Sequence, residues 1–201
     1  MFAASPGAHM RAIIFAVMLS LAACVQREGP TRPEAGDNAC ARTATHRLIW
    51  SDPADADVVS ASSAGPSCAQ AVITLVVRNS AGDPLWTFAN TYRDLRTGGV
   101  APVGMSPPEV SLEQMEKFLA SMANLTQLRA SQLPDWPATG PGPADPTRPL
   151  HYTTAFHRDA YLGLRASDRP LICYAAAAEA TQCLVMDPAS NAPAALIAFG
   201  P

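Results

Sequence analysis

The sequence predicts an α+β domain: an antiparallel β-sheet or meander with one principal helix at about 111–128, stapled by two disulfides. Three observations carry this. Short runs rich in β-branched and aromatic residues recur between clusters of Gly, Pro, Asn, Asp and Ser, the pattern of antiparallel strands joined by turns. A single segment, beginning at Ser111, holds apolar residues at sustained helical spacing. Beyond Cys24, four cysteines remain, an even number.

Residues 1–23 read as an export signal. Arg11 precedes an apolar run from Ala12 to Leu19, and no acidic residue occurs before Glu28. As a helix, Ala12 to Ala23 covers about 18 Å, well short of a ~30 Å bilayer core. Met10 reads as a better start than Met1. The run ends in Leu21-Ala22-Ala23-Cys24, which resembles the lipobox of bacterial lipoproteins. That resemblance implies lipid on the Cys24 thiol, cleavage before it, and attachment to the membrane through two or more acyl chains. Each buried CH₂ of such chains contributes about 0.8 kcal/mol. Val25 stands where retention at the inner membrane favours Asp, so the resemblance implies the periplasmic face of the outer membrane.

A mature chain starting at Cys24 has 178 residues, enough for one domain with a single core. The whole chain carries 14 basic and 17 acidic residues, so its balance is no footprint for nucleic acid. An oxidising periplasm favours disulfides. Cys173 and Cys183 flank a short alanine-rich turn between two strand-like runs and pair with one another; Cys40 and Cys68 are partners by elimination. On the chain-entropy model the two bridges contribute about 3 and about 3.5 kcal/mol.

In chain order, residues 24–41 read as a flexible tether and 42–201 as one domain. Arg42 to Ser51 alternates as a strand with His46, Leu48 and Trp50 on one face. Asp52-Pro53 ends it, and Asp52, Asp55 and Asp57 read as a solvated turn, since the glycine and distal glutamate of a calcium loop are missing. Ala71 to Val77 reads as a strand buried on both faces. Asn79 to Pro84 turns the chain, and Leu85 to Tyr92 returns with Trp86, Phe88 and Tyr92 on one side, a sheet face under a helix or a stacking platform.

Ser111 with Gln114 makes a capping box. Leu112, Met115, Leu119, Met122 and Leu125 or Thr126 then form the apolar stripe of the helix. Residues 133–150 contain six prolines without periodicity, with Trp136 among them either pinning the loop or serving recognition. Ala160 to Arg165, Leu171 to Ala175, Gln182 to Met186 and Ala194 to Phe199 read as the strands of a closing meander.

Catalytic signatures are absent: there is no G-x-S-x-G elbow, P-loop, G-x-G-x-x-G, H-E-x-x-H or C-x-x-C. His151 and His157, near Asp159, are spaced for neither a helix face nor ordinary zinc ligation. No cofactor or metal site is expected. The RNSAGDPLWTF hairpin and the segment DRPLICYAAAAEATQCLV are similar to lipoproteins of GC-rich proteobacteria, a resemblance that implies no activity. The expectation is therefore a membrane-anchored envelope lipoprotein that binds a protein, peptide or glycan without catalysis, with Trp86 and Trp136 as candidate binding residues. A periplasmic hydrolase whose site is hidden in the linear sequence, and a structural subunit of an envelope complex, are the alternatives.

Overall fold

Alternation of inward and outward side chains builds the first sheet of the computed structural model, which describes residues 38–97 and 109–201. Strands β1 (Arg42–Asp52), β2 (Asp55–Ala64), β3 (Val72–Arg78) and β4 (Pro84–Thr91) form an antiparallel meander in sequence order. Leu48, Trp50, Val59, Ala61, Ile73, Leu75 and Val77 all point to one face and are buried there. β3 is not buried on both faces as its β-branched run suggested: Ile73, Leu75 and Val77 are buried on one face, while Val72 on the other is 47% exposed. β2, with the sequence DADVVSASSA, is a strand that the sequence reading left without an assignment.

Two short elements and one helix follow. α1 (Tyr92–Thr97) continues directly from β4, so Tyr92 belongs to a helix and not to the strand. α2 (Leu112–Ala123) starts at the expected capping box, with Ser111 Oγ accepting from the Gln114 N–H and Gln114 Oε1 accepting from the Ser111 N–H. It ends five residues short of the expectation. Asn124 leaves helical geometry at ψ 72°, and the chain enters a strand, β5 (Thr126–Arg129), which pairs with the strand carrying Cys173. β-branched Thr126 suits a strand better than the last turn of a helix.

The second sheet has the order β5-β7-β8-β9-β6, all antiparallel, with β6 (His151–Thr153), β7 (Pro170–Ala177), β8 (Ala180–Asp187) and β9 (Ala192–Gly200). It is covered on both sides. Ile172, Tyr174 and Leu184 pack into one core with the first sheet and with Met115, Leu119 and Met122 of α2. Leu171, Cys173, Cys183, Val185, Leu196 and Ile197 face the other way, into a second core with Ala130, Leu133, Tyr161 and Leu164. The unbroken apolar run Leu171 to Tyr174 is what a doubly covered strand requires.

The segment Ala160 to Arg165, expected as a strand, is helical: α3 (Arg158–Ala166). Tyr161 and Leu164 are buried at i, i+3 spacing, while Asp159 in the first turn and Arg165 in the last complement the helix dipole. α3 holds down the proline-rich segment 133–150, which connects the two edges of the second sheet, β5 and β6. Five strands make that sheet about 19 Å wide, hence the length of the connection. Its prolines bring no N–H donors of their own, and one face of α3 donates to its carbonyls. Arg165 Nε donates to Leu133 O at 2.9 Å, the Tyr161 hydroxyl to Pro134 O at 2.8 Å and Arg158 Nη2 to Trp136 O at 3.2 Å.

Both disulfides are present, Cys40–Cys68 with Cα atoms 4.9 Å apart and Cys173–Cys183 with 4.0 Å. The second joins directly opposed residues of β7 and β8. The first clamps the entrance of β1 to the 3-10 turn Cys68–Gln70 ahead of β3. Around it, the Cys40 N–H donates to Gly65 O and the Gly65 N–H to Asn38 Oδ1, each at 3.1 Å. An added Cβ at Gly65 would stand 2.8 Å from the Ala71 Cα, so glycine is required at this crossing. Cys24 and the residues up to 37 lie outside the described residues.

Candidate functional site

The far end of β1 departs from regular pairing, and the cause is a buried carboxylate. Register with β2 is interrupted between Leu48 and Asp52. In the gap, Asp57 Oδ2 accepts from the Trp50 N–H at 3.0 Å and the Ser51 N–H at 2.8 Å, and Oδ1 accepts from the Ser51 hydroxyl. Asp57 is 1% exposed. It is therefore no part of a solvated turn: it replaces missing ladder bonds and fixes the path of residues 49–51. Asp52 and Asp55 are exposed, as read.

Those three residues form one wall of a cavity of about 310 Å³. Ile49 and Pro53 with Pro170 and Met186 make its apolar lining; Trp50, Arg129 and Arg169 make its polar one. Turn chemistry places the two arginines. Asp168 sits at φ 50° in the left-handed region, where Asp is tolerated better than most side chains. Its carboxylate accepts from Arg129 Nε at 3.1 Å and Nη2 at 3.0 Å, and from the Ser131 hydroxyl. The Ser131 hydroxyl and then Arg129 hold the Asp168 carboxyl below the ordinary carboxylate range. The carbonyl of Arg169 accepts from the Ala130 N–H at 2.9 Å, so the Arg169 backbone is fixed beside this pair.

Two donors in these walls lack an acceptor. Among the described residues, Trp50 Nε1 and Arg169 Nε are screened from solvent and have no hydrogen-bond partner. Trp50 itself is 2% exposed. A buried unpaired donor costs about 1–3 kcal/mol, and more if the group is charged. Both belong to residues that line this one cavity. No ion pair among the described residues engages Arg169. Its nearest acidic neighbour in effect is Asp187, whose carboxyl is lowered mainly by the Ser190 hydroxyl and the Ala189 N–H, with the Arg169 charge contributing least. The cavity is thus lined by arginine and apolar side chains, with the two unpaired donors buried behind its surface.

Trp86 and Trp136 lie elsewhere and are not brought together. Trp86 is half-buried between the sheets, its ring 4.5 Å from that of Tyr174 and stacked on Phe88 at 6.1 Å. The aromatic side of β4 therefore packs on the second sheet. Trp136 pins its loop, with Nε1 donating to Gly140 O at 3.0 Å and its ring edge-on to Tyr161 at 5.7 Å. His46, His151 and His157 are exposed and separate. No group of three His, Cys, Asp or Glu side chains suited to a metal occurs among the described residues.

A larger groove of about 590 Å³ runs between α1 and α2, past Tyr92, Arg96, Gln114, Lys117 and Phe118. Another, of about 440 Å³, opens beside Gly140 to Asp145, His151 and Tyr152. The sequence reading missed Trp50, Arg129 and Arg169 as site residues. They come from the ends of β1 and β5 and the turn before β7, and only the meeting of the two sheets places them around one cavity. No protein-family model, curated protein or solved structure matches the chain.

Proposed function

We propose that the chain is an envelope lipoprotein, held through lipid on Cys24 at the periplasmic face of the outer membrane, that acts as a non-enzymatic binding module for a protein, peptide or glycan. The observation that supports binding is the cavity between the sheets, with its unpaired donors and apolar wall. Its lining holds no histidine or lysine, and the Ser51 hydroxyl is already committed to Asp57. Turnover needs a base within hydrogen-bond reach of a nucleophile or water; capture of a ligand needs only the donors and the shape. Anchoring draws on Leu21-Ala22-Ala23-Cys24, and no helix among the described residues is long and apolar enough to cross a membrane.

Two measurements test this. Mass spectrometry of membrane-derived protein finds a lipidated Cys24 at the mature N-terminus, and Cys24→Ala removes both the lipid and the cut; an unmodified Cys24 refutes the anchor. For the binding role, complementation of a deletion strain survives His46→Gln, His151→Gln and His157→Gln separately. Complete loss from one of these, with fold and membrane level unchanged, overturns the non-enzymatic reading in favour of a hydrolase.

A further inference from the structure

The walls of the cavity at the end of β1 specify one kind of ligand chemistry. Both unpaired groups are donors, one from an indole and one from a guanidinium, and a second guanidinium, that of Arg129, stands beside them. Acceptors are scarce: the Asp57 carboxylate is saturated by Trp50 and Ser51, and the Asp168 carboxylate by Arg129 and Ser131. A neutral ligand with its own donors would find few partners here. A cation would meet Arg169, which has no ion pair among the described residues. A planar anion with two acceptor oxygens matches the fork of a guanidinium.

We propose that this cavity binds a carboxylate carried on a small apolar group, with Arg169 as its cationic anchor, Trp50 Nε1 as a further donor, and the apolar part against Ile49, Pro170 and Met186. The inference rests on the binding-module reading and gives that module its ligand class. A volume of about 310 Å³ suits one residue or a small acid, not an extended chain. Two sources share this chemistry, the C-terminal residue of a peptide and a free small acid. Neither unpaired N–H reaches solvent as the walls stand, so the ligand must move a wall side chain. Half-buried Met186, with its unbranched and flexible thioether chain, is the softest.

Binding is measured by calorimetry on the full chain in detergent, with four probes: N-acetylphenylalanine, its amide, acetyl-Ala-Ala-Phe, and the amide of that peptide. Both acids bind, and each amide binds at least about tenfold more weakly, the loss expected for a charge-assisted hydrogen bond. A tighter Kd for the peptide acid than for the single residue identifies a peptide terminus as the source; equal values identify a free acid. Arg169→Met removes an unpaired donor while keeping the chain length, so it holds or raises the Tm while weakening acid binding at least about tenfold. A group that served only structure would show the reverse, a lower Tm with unchanged binding. Equal binding of acid and amide, or no binding of either acid at about 1 mM, overturns the assignment. The acid–amide comparison on the unmutated chain decides this even if Arg169→Met does not fold. An envelope partner whose capture ignores Arg169→Met leaves the binding role standing and removes only the carboxylate.

Discussion

Replacing Asp57 separates a carboxylate that merely sits near the cavity from one that builds it. In Asp57→Ala the Trp50 and Ser51 N–H groups lose their acceptor, at 3.0 Å and 2.8 Å, while the Ser51 hydroxyl is half-buried and finds water. Each charge-assisted bond is worth about 1.5–3 kcal/mol, so the loss is about 3–6 kcal/mol. Asp57→Asn discriminates further. Its amide oxygen can stand where Oδ2 stands and accept from both backbone groups, while its NH₂ faces the Ser51 hydroxyl, which accepts. All three contacts then survive without the charge, at a cost of about 1–2 kcal/mol. Urea unfolding of the full chain, followed by circular dichroism, gives both values, provided the slope m is unchanged. An alanine variant that loses less than about 1 kcal/mol, or equal losses for alanine and asparagine, refutes the claim that Asp57 holds the end of β1.

Four further outcomes are expected. Tyr161→Phe, which removes the hydroxyl bound to Pro134 O at the centre of α3's grip on the proline-rich strap, costs about 1 kcal/mol in the same assay. Burial pushes the Tyr161 and Tyr174 hydroxyls up to about 12 from 10.0. Because the folded values lie above the unfolded ones, the stability tied to these neutral phenols is complete below pH 10 and is lost as pH rises to about 12, which tyrosinate absorbance follows directly. Ser111→Ala breaks the capping box and costs about 1 kcal/mol, and loses helical signal at the start of α2. Non-reducing peptide mapping finds Cys173 joined to Cys183, and the double alanine variant loses about 3 kcal/mol.

Local chemistry made much of the fold legible and left the cavity hidden. Alternation gave β1 and β4, a β-branched run gave β3 but not its exposed face, the capping box gave the start of α2, and cysteine count with turn placement gave both bridges. The failures have physical causes. β2 hides behind serines, because Ser63 is buried by donating to Cys40 O at 2.8 Å, a contact no hydropathy pattern reports. Ala160 to Arg165 alternates by accident at Leu162 and Leu164, whereas the buried pair is Tyr161 and Leu164. Asp57 looked solvated because its partners, the N–H groups of Trp50 and Ser51, belong to the backbone and leave no mark in sequence. Arg169 could be read only as a turn residue; its unpaired Nε depends on β1 and β7 meeting.

The bond between Cys40 and Cys68 also governs how the domain answers a mechanical load. A pull on the chain ahead of Asn38 would arrive at β1, an edge strand, along a direction that peels it from β2 one hydrogen bond at a time. Such unzipping needs little force. The bridge sends the tension across sulfur to the entrance of β3, an interior strand hydrogen-bonded on both sides. Residues 41–67 then fall outside the path of the load, so β1 and β2 are not pulled while the bridge is intact. Reduction of this one bond would turn a load-bearing attachment into a peelable one and release the strand that walls the cavity first.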